Sequence, residues 1–278
     1  SLLDAGPLRG YADNHLSVVG VKFFTDGSLG ARSAALLEDY SDDPGNRGLL
    51  VVDPEELYGR VLACHKKGFQ TASHAIGDRG NHLMLDILEK ILSEYRIEDM
   101  RHRIEHAQVV SQEDIPRFAT LGVIPSMQFT HCTSDMPWAG KRLGPARLLG
   151  AYAWRSFLST GCRIPGGSDF PVESINPFLG IYAAVTRMDL QGNPEGGWMP
   201  EQCLSVEEAS RAFTIDAAYA VHEEDLTGTL SPGKLADFIV ISDDIISIAP
   251  EAIPGIKVLA TVLGGKIVYG TEDFPVHK

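Results

Sequence analysis

Hydrophobic and polar positions up to residue 222 follow two alternating patterns. Short runs rich in β-branched and apolar residues are typical of buried strands, and longer stretches place apolar residues at every third or fourth position, on one helical face. Because the two kinds of segment take turns along the chain, we predict repeating βα units. The predicted strands are 18–24, 69–73, 103–107, 122–128 and 162–166, and the predicted helices are 55–67, 81–95, 111–121, 145–160, 176–188 and 205–221.

Local signals mark several of these helix ends. Ser205 and Glu208 form the S-x-x-E pattern of a capping box, in which each side chain accepts a hydrogen bond from the other residue's backbone amide. Ser111 with Asp114 is typical of a helix start, and Gly161 suits the left-handed position that follows a helix. These signals predict helix boundaries independently of the hydrophobic pattern.

The pattern changes after about residue 223. Three strand-like runs, 235–242, 257–263 and 266–269, follow one another without a strong helix between them, and turn sequences occur at 231–233 and 264–265. We therefore predict two domains, an α/β domain over 1–222 and a β-rich domain over 223–278.

Composition narrows the class of protein. The 278 residues contain 24 Lys and Arg against 37 Asp and Glu, a formal charge of −13, and no basic cluster, so a nucleic-acid partner is not expected. No apolar run approaches the roughly 20 residues of a membrane span, so no membrane partner is expected either. The four cysteines form no Cys-x-x-Cys pair and the first residues lack a secretory signal, so we expect reduced thiols and a cytoplasmic protein.

Three predicted strands end in a residue that can bind a metal. His74 and His106 are 32 residues apart, close to one βαβ repeat, and Asp169 follows 63 residues after His106, close to two. In a closed parallel barrel the carboxyl ends of the strands converge on one mouth, where two imidazoles and a carboxylate would suit Zn²⁺ or a similar ion. Each residue alone also fits a structural role, as a hydrogen-bonded histidine or a turn-capping aspartate. The shared spacing favours the metal.

Lys22, inside the apolar strand 18–24, is a fourth candidate. One interpretation is a side chain that reaches solvent at the rim or pairs with Asp26, because a charged amine is costly to bury. The alternative is a neutral amine that captures CO₂ as a carbamate and bridges two metal ions. Spacing alone leaves both open.

Several segments carry a resemblance to a known family. VKFFTDGSLGAR, SHAIGD, RIEHAQ and GSDFPVE, beginning at residues 21, 73, 103 and 167, occur in this order, followed by AAVTR and GTLSPGKLADFIVI. Together they resemble the YtcJ-like branch of the amidohydrolase superfamily (amidohydrolase family 3) over nearly the whole chain. The resemblance implies a metal-dependent hydrolase on a TIM (β/α)8 barrel. This chain would hold about strands 4–8 of the barrel and part of a small β-sandwich.

The resemblance also implies roles for individual residues. His74 and His106 would be metal ligands from barrel strands five and six, and Lys22 would occupy the fourth-strand position that is often a bridging carboxylated lysine. Asp169 would be the eighth-strand ligand and the catalytic general base. The cofactor would be one or two divalent metals, zinc first. The His-x-His pair that ends the family's first strand is absent here, so we expect this chain alone to hold the metal poorly or not at all.

The strand count leads to the same expectation without the family. About five barrel strands are visible before residue 222, whereas a closed barrel has eight strands in about 250 residues. We therefore expect the chain to be the C-terminal part of a longer protein and to be inactive alone. A homo-oligomer would be one way to cover the open edge of the sheet.

The expected reaction is hydrolysis of carbon–nitrogen bonds other than peptide bonds, such as amides, in a small-molecule substrate. Asp26 and Arg32, in the glycine-rich loop after the first strand, and His131 and Trp138, after strand 122–128, are candidate substrate contacts. The glycine-rich loop equally fits a tight turn without a ligand. Two alternative functions stay open, a lactone or phosphoester hydrolase on the same scaffold and a barrel that binds a ligand without catalysis.

Overall fold

The chain divides into two compact units in a computed structural model that describes residues 2–274. The first unit comprises the residues up to Met127 together with Asp135–Ile164, and the second comprises Gln128–Ser134 together with the residues from Pro165 onward. The last four residues of the predicted β-rich domain, and Ser1, lie outside the described residues. The predicted division at residue 222 follows the sequence pattern and stays a prediction.

The described elements alternate between strands and helices through most of the chain. In chain order the strands are β1 (Leu8–Gly10), β2 (Leu16–Val18), β3 (Gly20–Phe24), β4 (Gln70–Ala75), β5 (Arg103–His106), β6 (Ile124–Gln128), β7 (Gly166–Gly167), β8 (Phe238–Ile241), β9 (Val258–Leu263) and β10 (Lys266–Gly270). The helices are α1 (Leu2–Ala5), α2 (Tyr11–Asn14), α3 (Pro54–Lys66), α4 (Asp78–Glu94), α5 (Ile115–Leu121), α6 (Phe129–Leu148), α7 (Trp154–Ser159), α8 (Pro177–Thr186), α9 (Val206–Ala212) and α10 (Ile215–Ala220), with 3-10 helices at Pro200–Gln202 and Pro250–Gly255.

A parallel sheet in the order β3-β4-β5-β6 forms the centre of the first unit. Almost every residue of β4 is buried, because the strand lies inside the sheet and both α3 and α4 pack against it. These helices bury apolar residues such as Leu57, Val61, Leu85 and Leu88. A parallel sheet covered by helices confirms the predicted α/β class. Closure into a barrel stays a prediction.

Hydrogen bonds confirm the capping box, whereas the helix predicted to start at Ser111 begins at Ile115, with Asp114 as its N-cap residue. The Ser205 hydroxyl accepts from the Glu208 amide at 3.2 Å, and the Glu208 carboxylate accepts from the Ser205 amide at 2.8 Å, which makes the predicted capping box. Gly122 follows α5 with a φ of 65°, a left-handed conformation that glycine adopts without strain.

A three-stranded antiparallel sheet in the order β10-β9-β8 belongs to the second unit. Ala260 and Val262 are buried on alternate positions of the central strand β9, as expected for a strand with one covered face. The sheet confirms the three strands predicted for the β-rich segment, whereas their place in a sandwich stays a prediction. No helix within residues 2–274 is long and apolar enough to cross a membrane.

The predicted helix 145–160 is wrong, because the chain leaves the helical path between α6 and α7. The Gly150 carbonyl accepts from the Val110 amide at 2.9 Å, and the Tyr152 amide donates to the Gln108 carbonyl at 2.7 Å. A Cβ on Gly150 would lie 1.8 Å from the Val110 carbonyl oxygen, so the approach requires glycine. These bonds to a distant segment outweigh the local helical pattern.

Three other predicted elements are interrupted or shortened. The helix 205–221 is divided into α9 and α10 near Phe213, whose ring packs so closely on Gly180 that a Cβ there would lie 2.4 Å from it. The strand 18–24 is divided between β2 and β3, and the strand 162–166 is reduced to the two residues of β7. The backbone leaves the helical path at Thr214, which has a φ of −126° and a ψ of −98°, and the hydrophobic pattern did not indicate this break.

Candidate functional site

Two histidines come together at the carboxyl ends of adjacent strands in the first unit. His74 lies near the end of β4, and His106 is the last residue of β5, in register with the residue after His74. Their ring centroids are 4.6 Å apart and the rings are nearly perpendicular, at 72°. His106 is only 6 % exposed and has a φ of 75°, which costs a residue with a Cβ of the order of 1–3 kcal/mol. The predicted spacing therefore corresponds to a real juxtaposition at a strained strand end.

The surroundings of His74 define which of its ring nitrogens carries hydrogen. Nε2 lies 3.2 Å from the Gly27 carbonyl oxygen and 3.4 Å from Oδ1 of Asp26. Because a carbonyl oxygen only accepts, we assign the hydrogen of the neutral ring to Nε2, which leaves the lone pair on Nδ1. The Phe24 ring lies beside the imidazole, with the centroids 5.4 Å apart. The loop after β3 thus orients His74.

Asp26 connects the loops that follow β3 and β4. Its carboxylate accepts from the amides of Ile76 at 3.0 Å, Gly77 at 2.8 Å and Ala35 at 2.9 Å. The residue is only 2 % exposed. This candidate substrate contact therefore holds together the backbone of the loops that follow β3 and β4, a role that sequence analysis did not identify.

Lys22 lies on β3, opposite Ala72 of β4. Its ammonium group is 5.3 Å from the centroid of the Phe24 ring, a cation–π contact on the edge strand of the sheet. Phe24 itself is 57 % exposed. Lys22 also borders a cavity of about 510 Å³ with Asp53, Glu56 and Arg60 among its lining residues.

Arg32 and Trp138 belong to a second cluster in the first unit. Arg32 donates from Nε and Nη2 to the two carboxylate oxygens of Asp42, both at 3.0 Å, and Arg142 bonds the same carboxylate. The hydrogen bonds from Arg32 lower the pKa of Asp42. Arg142 also lies 5.6 Å from the Trp138 ring, which packs on Gly30. The structure therefore brings these two candidate substrate contacts together through the loop and α6.

His131 and Asp169 are residues of the second unit. His131 lies in the first turn of α6 and is partly buried. Asp169 follows β7 with its side chain exposed and a φ of 54°, and its carbonyl oxygen accepts from the Val172 amide at 2.9 Å. Both residues therefore belong to a different unit from His74 and His106.

A buried polar group close to His106 in sequence was not identified from the sequence. The Gln108 side-chain amide donates to Oδ2 of Asp135 and to the Tyr152 hydroxyl oxygen, both at 2.9 Å, and the Tyr152 hydroxyl donates to the same Asp135 oxygen at 2.6 Å. The position of Gln108 in the motif RIEHAQ, two residues after His106, was the sequence feature that could have indicated this network. The network connects the chain after β5 to α6 and to the segment before α7.

The histidine pair alone does not fit a complete metal centre. Catalytic zinc sites use three protein ligands and structural sites use four. Within residues 2–274 no group of three or more His, Cys, Asp and Glu side chains is arranged to hold a metal ion. The two imidazoles therefore supply only part of a ligand set, which other side chains would have to complete.

Three curated relatives match this chain over most of its length. It is 40 % identical to Protein LONG AFTER FAR-RED 3 of Arabidopsis thaliana and 37 % identical to the putative amidohydrolase YtcJ of Bacillus subtilis, in both cases over 90 % of this chain. It is 26 % identical over 77 % of its length to the N-substituted formamide deformylase of Arthrobacter pascens. The matches cover 42 %, 46 % and 39 % of those proteins, so the chain spans less than half the length of these relatives.

A solved structure and a family profile agree with these relatives. The crystal structure of an uncharacterised metal-dependent hydrolase from Pyrococcus horikoshii superposes with a TM-score of 0.79 and 32 % identity, over 90 % of this chain and 50 % of that one. The profile described as "Amidohydrolase family" matches residues 6–269. With nearly all of the chain matched by the profile, and with the paired histidines at the ends of its parallel strands, this chain belongs to the amidohydrolase family.

Proposed function

We propose that this protein hydrolyses carbon–nitrogen bonds other than peptide bonds, such as amides, with a water activated by a divalent metal. The observation that carries the proposal is the His74–His106 pair. Their ring centroids lie 4.6 Å apart, on adjacent parallel strands of a chain that belongs to the amidohydrolase family. The relative from Arthrobacter pascens, named for the deformylation of N-substituted formamides, supports the choice of a non-peptide carbon–nitrogen bond.

His74 and His106 are the metal ligands in this proposal, and zinc is the first choice because imidazole nitrogens suit it. A zinc ion held by these residues would lower the pKa of a bound water to roughly 7 and would supply hydroxide at neutral pH. Lys22 is proposed as a further ligand, in its carboxylated form. The complete set requires ligands in addition to those that residues 2–274 bring together.

Asp169 is proposed as a further ligand and as the general base, a carboxylate that would accept a proton from water and would pass it to the leaving amine. Its exposed side chain supports this role, since a carboxylate that exchanges protons with water and substrate must be accessible. Such a base contributes about 10²–10⁴ to the rate. Arg32, His131 and Trp138 stay proposed substrate contacts.

Metal analysis of the intact protein, combined with a hydrolysis panel, tests the proposal. The His74→Asn and His106→Asn variants should each lose most of the bound metal and of the turnover of N-acyl amides. His15→Asn changes an exposed histidine that bonds only nearby backbone oxygens, and it should retain both. Equal metal content and turnover in all variants would refute the metal role of the pair. Turnover of lactones or phosphoesters alone would refute the carbon–nitrogen assignment while leaving the metal site intact.

A further inference from the structure

We infer that the second unit contains a binding site for a small organic cation. A cavity of about 270 Å³ lies among the first turns of α6, the segment after β7, and the end of α8 with the loop that follows it. Its volume is near the lower end of the range for small-molecule sites. All of its lining residues belong to the second unit, so the site is complete within that unit.

The charged side chains that line this cavity are both acidic. They are Glu173 and Asp189, and the described lining contains no lysine or arginine. The Ser134 hydroxyl donates to Oε1 of Glu173 at 2.7 Å, which orients the carboxylate and leaves Oε2 for a ligand. Asp189 is held by amides of its own loop, those of Gln191 at 2.9 Å and Asn193 at 2.8 Å. The cavity therefore carries negative charge in fixed positions.

The hydroxyl groups of the wall also favour a hydrogen-bond donor as the ligand. The Tyr182 hydroxyl donates to the Asp189 carbonyl at 2.8 Å, and the Thr133 hydroxyl donates to the Thr130 carbonyl at 3.0 Å. Because each hydroxyl has one hydrogen, these oxygens offer only lone pairs to a ligand. A ligand with several N–H groups would satisfy this wall.

Apart from the polar side chain of Gln191, apolar side chains form the rest of the lining. Leu179, Met188 and Leu190 are among them, and the aromatic ring of Tyr182 adds to the apolar area. A protonated amine on a short aromatic or aliphatic body matches this combination, since the ammonium group meets the carboxylates while the body contacts the apolar wall. A carboxylate ligand would be repelled by both acidic residues.

Three probes of similar shape separate charge from size. Binding of 2-phenylethylamine, 2-phenylethanol and phenylacetate to the whole chain is measured by saturation-transfer NMR and calorimetry at pH 7. We expect the amine to bind at least about tenfold more tightly than the alcohol, the difference expected for one charge-assisted hydrogen bond, and the carboxylate not to bind. The measurement needs no hydrolysis, so its outcome is independent of the proposed function.

Matched variants locate the site. Glu173→Gln keeps an oxygen for the Ser134 hydroxyl but removes the charge, and it should weaken the amine about tenfold without affecting the alcohol. Glu195→Gln removes the same charge at an exposed position of the same unit outside the cavity, and it should change neither. Leu190→Lys, at a lining residue that is 62 % exposed and therefore tolerant of substitution, should weaken the amine even if Glu173→Gln does not fold. Equal binding of amine and alcohol, no binding of any probe, or equal effects of Glu173→Gln and Glu195→Gln would overturn the inference.

Discussion

Acid should destabilise the first unit through a buried pair of histidines, His65 and His102, at the amino ends of the parallel strands. Nδ1 of His102 accepts from the Thr71 amide at 3.0 Å, so its hydrogen is on Nε2, which lies 3.0 Å from Nδ1 of His65. His65 in turn donates from Nε2 to the Tyr95 carbonyl. Every ring nitrogen is thus satisfied with both rings neutral, and an added proton would oppose an existing donor.

Burial, with a smaller contribution from the neighbouring His65, lowers the pKa of His102 from 6.5 to about 3. Because the pKa of His102 is lower in the folded than in the unfolded chain, the folded state has its full stability at a pH above 6.5. This stability is lost as the pH falls from 6.5 towards 3, because the unfolded chain binds the proton first. Each pH unit in that window is worth up to about 1.4 kcal/mol, so lowering the pH from 7 to 4.5 should cost about 2–3 kcal/mol from this residue.

Urea unfolding followed by circular dichroism at pH 7, 5.5 and 4.5 measures this dependence. His102→Asn, which keeps an acceptor for the Thr71 amide, should be less stable than the wild type at pH 7 but lose less stability on acidification. His15→Asn, at an exposed position, should show the wild-type slope. If the wild type and His102→Asn lose stability equally between pH 6.5 and 4.5, the buried histidine is not the source of the acid sensitivity.

Three further predictions concern local contacts. A Cβ on Gly77 would lie 2.0 Å from the Ala35 carbonyl oxygen, so Gly77→Ala should lower the free energy of unfolding by more than about 2 kcal/mol in denaturant titrations. Gly59→Ala, at a position inside α3 with open space for a Cβ, should instead raise it by about 0.5–1 kcal/mol. Asp26→Asn turns an amide N–H towards buried donors and should lower the melting temperature by several degrees and shift the His74 ring resonances in NMR; unchanged resonances would contradict the orienting role. Burial raises the pKa of the Cys64 thiol, so alkylation of the folded protein at pH 7.5 should leave it unmodified while denatured protein reacts; equal rates would contradict its burial.

The histidine pair was accessible to sequence analysis because it depends on periodicity. Residues at corresponding ends of neighbouring parallel strands must lie close together, so the interval between His74 and His106 predicted their juxtaposition once the two strands were identified. The tautomer of His74 was not accessible. It depends on the Gly27 carbonyl, 47 positions earlier in the chain, whose location is known only once β3 and β4 are paired.

Asp26 was recognised from the sequence as a candidate contact, but its structural role was not. Its carboxylate is engaged by amides 50 and 51 positions away, and no local pattern indicates that these amides converge on it. The segment between α6 and α7 is a further case, since helical periodicity there is overridden by backbone bonds to Val110 and Gln108.

By itself the sequence determined the α/β class, most strands, the starts of α3, α8 and α9, and the pairing of His74 with His106, because these follow from signals within a few residues or from one repeat interval. Only the tertiary structure showed that the Asp26 carboxylate bonds the backbone of two loops, that Arg32 pairs with Asp42, and that Glu173 and Asp189 line one cavity. The physical reason is that hydrogen bonds, ion pairs and cavities depend on distances of a few ångströms between segments far apart in sequence, and packing alone determines those distances.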